Sequence, residues 1–292
     1  MFAFCADPRS IEGLTWAVCY LTSGKHMDFY WSFVVVFLLL ALTAPLALAM
    51  GFAGAIAARS RFLPVRLLGK GYAAVVRGVP DIVFFLFFVI ALDQGIEYLR
   101  SLAVCEDPAW PWQGLEFRVC PEAKVPLGRA SAFWHETYSF GLAVVTFAIV
   151  FGAFAANVLH GAMQAVPRAQ LETAEAYGMN AAQVFRRILV PQMWIYALPG
   201  LSNLWMILIK ATPLLFLLGI QDIVFWARAL GGAKTQAFDY PHPDWRLWYF
   251  LGLLVFYLIF TRVSEIVLDR VSARLNRGQA TAAGEALRRA AA

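Results

Sequence analysis

The sequence predicts an all-α integral membrane protein with five transmembrane helices, its N-terminus outside and its C-terminus in the cytoplasm. Three observations carry this. Of the 292 residues, 61% are hydrophobic and 15% charged, whereas a soluble chain averages about 45–50% apolar and about 25% charged. Five apolar runs, alone or with their flanks, reach the roughly 20 residues that cross a bilayer. The segments between them alternate between basic clusters and acid-rich loops, which orients the chain by the positive-inside rule.

Residues 1–28 form an N-terminal extension. Asp7, Arg9 and Glu12 interrupt its apolar stretches, no basic segment precedes an apolar one, and no cleavage site follows. It therefore reads as an outer or interfacial segment rather than a signal peptide, with a short amphipathic helix at 10–22 lying on the membrane surface. Residues 29–58 carry no charge and make the first span, where Pro45, Gly51 and Gly54 allow a kink. Arg59, Arg61, Arg66, Lys70 and Arg77 follow with no acid among them, which places that connection in the cytoplasm.

The second span, about 79–99, needs its flanks, because the apolar run Ile82 to Leu92 between Asp81 and Asp93 is too short to cross. The loop 100–136 holds more acids than bases and is placed outside. Cys105 and Cys120 share it. In an oxidising compartment they can close a disulfide, worth about 3 kcal/mol for a loop of this length. Two free thiols are the alternative, since spacing does not fix the geometry.

The third span, about 138–160, is free of formal charge. The fourth, about 194–218, contains Lys210, and a lone charge at span depth costs about 2.5–3.5 kcal/mol on insertion scales. Either the lysine has a function, or it pairs with a backbone carbonyl or with Asp222. An outer loop, 221–244, leads to the fifth span, about 247–267. The tail, 273–292, is basic and Ala-rich and is assigned to the cytoplasm.

Between the third and fourth spans, residues 161–191 do not read as a loose linker. Pro167 opens a run of helix formers from Ala169 to Ala176. Gly178 supplies a left-handed stop. Asn180 and Gln183 have the spacing of a capping box for a second helix, expected to end at Pro191 with Arg186 and Arg187 in its last turn. This is a helix–turn–helix hairpin between two spans.

Enzyme signatures are missing. The nearest approach to a phosphate-binding loop, Gly232-Ala233-Lys234-Thr235, has Ala233 where a glycine is required. His26, His135, His160 and His242 are far apart, the cysteines have no metal-ligand spacing, and no G-x-S-x-G elbow occurs. The basic residues flank apolar runs instead of forming a nucleic-acid stripe. No metal site and no catalytic residue are expected.

The hairpin resembles the coupling segment of the membrane subunits of ATP-binding-cassette importers. Their signature is E-A-A, three residues, G, nine residues, I-x-L-P. Here it reads Glu172-Thr173-Ala174, Gly178, Ile188, Val190, Pro191, with Thr173 and Val190 as mild departures. The run Gly161-Ala162-Met163-Gln164-Ala165-Val166-Pro167 with Gln170, Glu172 and Gly178-Met179 is similar to the polar amino-acid and opine permeases. So are Gly152-Ala153-Phe154, Arg77-Gly78-Val79-Pro80, Pro191-Gln192, Leu198-Pro199, Asn203 and Lys210-Ala211-Thr212. The resemblance covers about 70–272.

That resemblance implies an importer permease in a bacterial inner membrane, with loop 100–136 and the N-terminus periplasmic. It implies a second, homologous permease (a heterodimer is expected), two ATPase subunits that carry ATP and Mg, a periplasmic binding protein and an amino-acid cargo. No cofactor is expected in this chain. Glu172, Ala174, Gly178, Ile188 and Pro191 would couple to the ATPase. Arg77, Val79, Phe154, Asn157, His160, Lys210 and Thr212 fall near the family's substrate path. There Asn157 replaces the family's membrane Glu, His160 its Arg, Ala211 its acid, Pro213 its Ser and Val79 its Thr. Gly178→Asp or Glu172→Lys is expected to uncouple ATP hydrolysis from uptake. The alternative, a transporter driven by an ion gradient, calls for paired acids at the midplane and internal repeats, and neither is present in the sequence.

Overall fold

A computed structural model describes Cys5 and residues 11–106, 111–114 and 116–275. Five of its helices are long and apolar enough to cross a membrane: Gly24–Ala58, Asp81–Val104, Ala132–Ala165, Ala181–Leu218 and Arg246–Leu275. Four contain their expected span and exceed it at one or both ends, because the helices run on past the apolar stretch until a turn or a proline stops them. The second starts at Asp81, two residues later than expected, because Val79 is extended and Pro80 precedes the helix as its N-cap. Helix α5 (Ala132–Ala165), for example, ends at Val166 just before Pro167, whose ring disfavours helical geometry in the residue preceding it. Most of the expected tail lies outside the described residues, and the fifth span extends into it as far as Leu275.

Helix α1 is Gly13–Leu21 and α2 is Gly24–Ala58. Helix α5 is the centre of the bundle: 72% of its apolar window is buried, against 28% for α2 and 6% for the last helix. Glycines set its contact with α2. A Cβ added at Gly51 would lie 2.6 Å from the Ala155 Cβ, and one at Gly54 2.9 Å from the Ala156 Cβ. Small residues let helix backbones meet closely where lipid provides no hydrophobic drive for association. The buried core beside this crossing gathers Leu39, Leu40, Phe147 and Phe151, with Ile209 and Leu215 from the fourth span.

The cytoplasm-assigned connection is not a loop. Residues Leu63–Gly78 form α3, with Pro64 in its first turn. Its positive charges dominate the sequence and hide an amphipathic pattern. Gly69 lets α3 fold back on the end of α2, since a Cβ there would meet the Ala58 nitrogen at 2.5 Å. Tyr72 donates its hydroxyl hydrogen to the Ile149 carbonyl and so pins α3 to α5.

Helix α4 (Asp81–Val104) takes up the first five residues of the expected loop 100–136. Strands β1 (Trp112–Gln113) and β2 (Glu116–Phe117) make a small antiparallel ribbon there, with Trp112 opposite Phe117. Cys105 and Cys120 are disulfide-bonded, their Cα atoms 6.1 Å apart. Asp93, read as a boundary residue, accepts a 2.9 Å hydrogen bond from Tyr138 that joins α4 to α5.

The extension is held by features the sequence reading lacked. Cys5 is bonded to Cys19 of α1. Cys19 and Tyr20 are fully or almost fully buried. The Tyr20 hydroxyl lies 3.1 Å from His242 Nε2 and accepts from Tyr249 at 3.2 Å, and Tyr249 also lies 2.7 Å from His26 Nε2. The outer loop 221–244 is partly helical as well, as α9 (Ile223–Gly231).

Asp222 is the N-cap of α9. It is fully buried, and its Oδ1 accepts from the Val224 and Phe225 amides at 3.1 and 2.8 Å. Burial, partly offset by these bonds, pushes its carboxyl up to about 7. A raised value means the folded state holds its proton longest. The stability contributed here is full below the ordinary carboxylate range and is lost as pH rises through about 7. Asp222→Asn keeps a good cap and cannot ionise. Its thermal midpoint in detergent is therefore expected to vary less than wild type between about pH 5 and about pH 8.

Candidate functional site: the hairpin between the third and fourth spans

The hairpin begins where α5 ends. Pro167 precedes α6 (Arg168–Ala176). Helix α6 closes with the two bonds of a Schellman turn, the Met179 amide to the Ala174 carbonyl at 3.1 Å and the Gly178 amide to the Glu175 carbonyl at 2.9 Å. Gly178 has φ +79°, the left-handed conformation that a side chain resists. The next helix, α7 (Ala181–Val184), has the full capping box: the Gln183 amide donates to Asn180 Oδ1 at 3.0 Å, and the Asn180 amide donates to Gln183 Oε1 at 2.9 Å. Capping at both sides of a two-residue turn fixes the angle between the helices, since the groups that would otherwise fray are satisfied.

The second helix does not end at Pro191. It widens into a π-turn over Phe185–Leu189 and continues as α8 (Val190–Ala211) and a 3₁₀ segment (Thr212–Leu218). Pro191 has no amide hydrogen for the Arg187 carbonyl, and its ring crowds that group. The π-turn relieves the conflict, with the Val190 amide reaching back to the Phe185 carbonyl. Arg186 and Arg187 are consequently exposed residues in the second turn of a continuous helix, far from the C-terminal end whose dipole they would offset. Hairpin and fourth span form one continuous rod. Pro191→Ala is expected to let the π-turn tighten toward α geometry and rotate the hairpin relative to α8. Uptake should fall more than ATPase activity, as measured on the reconstituted complex.

Of the five hairpin positions, Ala174 is buried, Glu172, Gly178 and Pro191 are exposed and Ile188 is half-buried. Glu172 has no ion pair or side-chain hydrogen bond among the described residues, so it does not serve as an internal cap or pair.

The residues near the expected path separate into two groups. Phe154, Asn157 and His160 recur at three-residue intervals along α5 and share one face. Phe154 is half-buried beside Phe151, Asn157 is exposed, and His160 Nε2 lies 2.8 Å from Gln164 Nε2. The sequence places Gln164 in the family-like run 161–167 but not on the path, although its i+4 spacing from His160 is readable. Lys210 is exposed and unpaired among the described residues, so the pairing with Asp222 is not formed. Thr212 is turned inward. It is fully buried, donates to the Ile209 carbonyl at 2.9 Å and lies 2.8 Å from the Tyr257 hydroxyl. Arg77 is exposed in the last turn of α3, and Val79 is an extended linker residue between α3 and α4.

Five spans, of which α2, α4 and α8 pack directly against α5, with an exposed capped hairpin joining two of the five, define a multi-pass membrane permease. A family model described as "Binding-protein-dependent transport system inner membrane component" matches residues 50–277, and the chain belongs to that family. The match extends past residues 70–272 at both ends and takes in the end of α2, from Met50 to Ala58. The chain is 32% identical over 237 residues to the histidine/lysine/arginine/ornithine transport system permease protein HisQ of Salmonella typhimurium, covering 80% of this chain and 86% of that one. It is 30% identical over 243 residues to the arginine ABC transporter permease protein ArtQ of Escherichia coli, covering 81% and 89%. It is 27% identical over 233 residues to the octopine transport system permease protein OccQ of Agrobacterium tumefaciens, covering 80% and 84%. The fold is shared with a crystal structure of an amino acid ABC transporter with histidines, at TM-score 0.60 and 20% identity over 91% of this chain and 99% of that one. It is shared also with the inward-facing MetNI methionine ABC transporter, at TM-score 0.51 and 12% identity over 91% and 100%.

Proposed function

We propose that this chain is one permease subunit of an ATP-driven importer of amino acids or amino-acid derivatives, working by alternating access. One observation carries the reading: a doubly capped hairpin continuous with α8 and joined to the end of α5 through Val166 and Pro167 alone. Such a pair of levers passes rigid-body movement between a motor docked on the hairpin and the bilayer. ATP and Mg belong to two separate ATPase subunits, and this chain hydrolyses nothing. ATP-driven closure of those subunits would draw the coupling hairpins together and open the path outward.

The N-terminus and loop 100–136 face the periplasm and the C-terminus the cytoplasm, consistent with Arg59, Arg61, Arg66, Lys70 and Arg77 on the hairpin side. The periplasmic loops receive a substrate-binding protein. The similar permeases named above serve histidine, lysine, arginine, ornithine or octopine, which supports an amino-acid cargo. Asn157 and Ala211 stand where the family carries acids, which supports a heterodimer in which the homologous partner grips the cationic part of the cargo.

The test is copurification followed by reconstitution. The chain should bring down ATPase subunits and a second permease, and proteoliposomes with the binding protein should take up a labelled amino acid only with ATP inside or outside on the ATPase face. Uptake driven by an ion gradient alone, with no ATPase subunit bound, would overturn the proposal.

A further inference from the structure

At the end of the bundle opposite the hairpin, α2 and α5 part around the segment that leads into α9 and leave a cavity of about 630 Å³. Its rim and its depth differ in chemistry. The rim carries Asp28 and Glu136, neither in an ion pair among the described residues, together with His135, Thr137 and Gln221. Deeper, the wall is Val35, Leu38 and Phe140, with Trp31 between the two zones. From Asp28 to Leu38 the wall descends ten residues of α2, about 15 Å at helical rise. Trp31 is 67% exposed and Leu38 48%, so the hollow opens sideways along a helix that crosses the bilayer.

We propose that this cavity is a phospholipid site selective for a zwitterionic headgroup that ends in an ammonium, such as phosphatidylethanolamine. The ammonium would lie between the Asp28 and Glu136 carboxylates. The amide of Gln221 and the ring N–H of His135 offer donors to the phosphate, while the Thr137 hydroxyl already donates to the Phe133 carbonyl at 2.7 Å. One acyl chain would follow Val35, Leu38 and Phe140 down the span, and Trp31 sits at headgroup level as interfacial tryptophans do. No Lys or Arg lines the cavity, which disfavours an anionic headgroup, because those are held by basic clusters. A small hydrophilic solute would satisfy the rim and leave the apolar wall uncovered, whereas an amphiphile satisfies both. The reading needs only that α2 spans the bilayer and is independent of the cargo.

The experiment is native mass spectrometry of the purified, delipidated transporter complex titrated with phosphatidylethanolamine, with phosphatidylglycerol and with free lysine. Wild type should retain phosphatidylethanolamine over phosphatidylglycerol. The double variant Asp28→Asn/Glu136→Gln should lower phosphatidylethanolamine retention about tenfold, the scale of losing charge-assisted hydrogen bonds, with phosphatidylglycerol unchanged. Leu38→Trp, which fills the apolar end, should lower retention of both lipids. Equal retention of the two lipids by wild type overturns the proposal without recourse to any variant. So does unchanged phosphatidylethanolamine in the double variant. Lysine binding that disappears in the double variant would also overturn it and make the hollow an entry site for a free amine.

Discussion

Gly178→Val is expected to abolish amino-acid uptake by the reconstituted transporter while ATP hydrolysis continues. Gly178 has φ +79°, and a residue with a Cβ pays roughly 1–2 kcal/mol to stand there, more when β-branched. One or two kcal/mol is a factor of about 5–30 in a population, so the turn joining α6 to α7 would open that many times more often. Nothing lies within 4 Å of the position a Cβ would take. The penalty is therefore conformational and local, and the spans should still fold. Gly178→Asn separates geometry from bulk, because Asn enters the left-handed region with least strain, and it should retain most of the uptake. Gly178→Asp tolerates the backbone nearly as well but adds a charge to the exposed turn, so its failure would report on the docking surface. Uptake and ATPase rates on the same proteoliposomes decide the matter. Wild-type uptake in Gly178→Val would remove the hairpin from the coupling role.

The ends of the hairpin were legible because each is written in side chains that act on their own backbone. Glycine at 178 and the Asn180–Gln183 spacing state their geometry locally, and the structure has it. Pro191 misled for the same reason. A proline states that a hydrogen bond is lost, which usually stops a helix, but here a π-turn absorbs the loss and the rod continues. Helix α3 was obscured by charge: five basic residues from 59 to 77 describe the side of the membrane well and say little about conformation. The contacts that seal the extension were beyond sequence reading altogether. Cys5 with Cys19 was one of several possible pairings, and Tyr20 meets His242 across 222 positions. Such partners become neighbours only once α2 and the last span have packed.

The path residues show the same limit in a sharper form. Asn157, Lys210 and Thr212 were grouped because the family's motifs group them. Packing instead turns Thr212 into the bundle, where its hydroxyl is already occupied by Ile209 and Tyr257, and leaves Asn157 and Lys210 exposed. A helical residue's identity survives in sequence, but its direction is set by which neighbours bury the rest of the turn. Thr212 thus serves best as a fixed point between α8 and the last span, while Asn157 and Lys210 remain free to meet a partner subunit or cargo.

Two substitutions of the same kind, Gly51→Ala and Gly252→Ala, are expected to move stability in opposite directions. Both glycines lie inside transmembrane helices, where alanine is the better helix former by about 1 kcal/mol. At Gly252 nothing lies within 4 Å of the new methyl, so the thermal midpoint of the detergent-purified complex should hold or rise. At Gly51 the methyl would lie 2.6 Å from the Ala155 Cβ and 3.2 Å from the Ala155 carbonyl carbon and the Ala156 nitrogen. These are parts of a helix backbone, not the end of a flexible chain. Ala155 and Ala156 are 4% and 3% exposed, so α5 has no room to recede without disturbing the core on its other side. Overpacking of this sort costs typically about 1–3 kcal/mol, which outweighs the gain in helix propensity. Gly51→Leu should be worse still and yield little monodisperse protein on size exclusion. An unchanged midpoint in Gly51→Ala would mean that α2 and α5 do not cross through these small residues, and the order of packing around α5 would have to be redrawn.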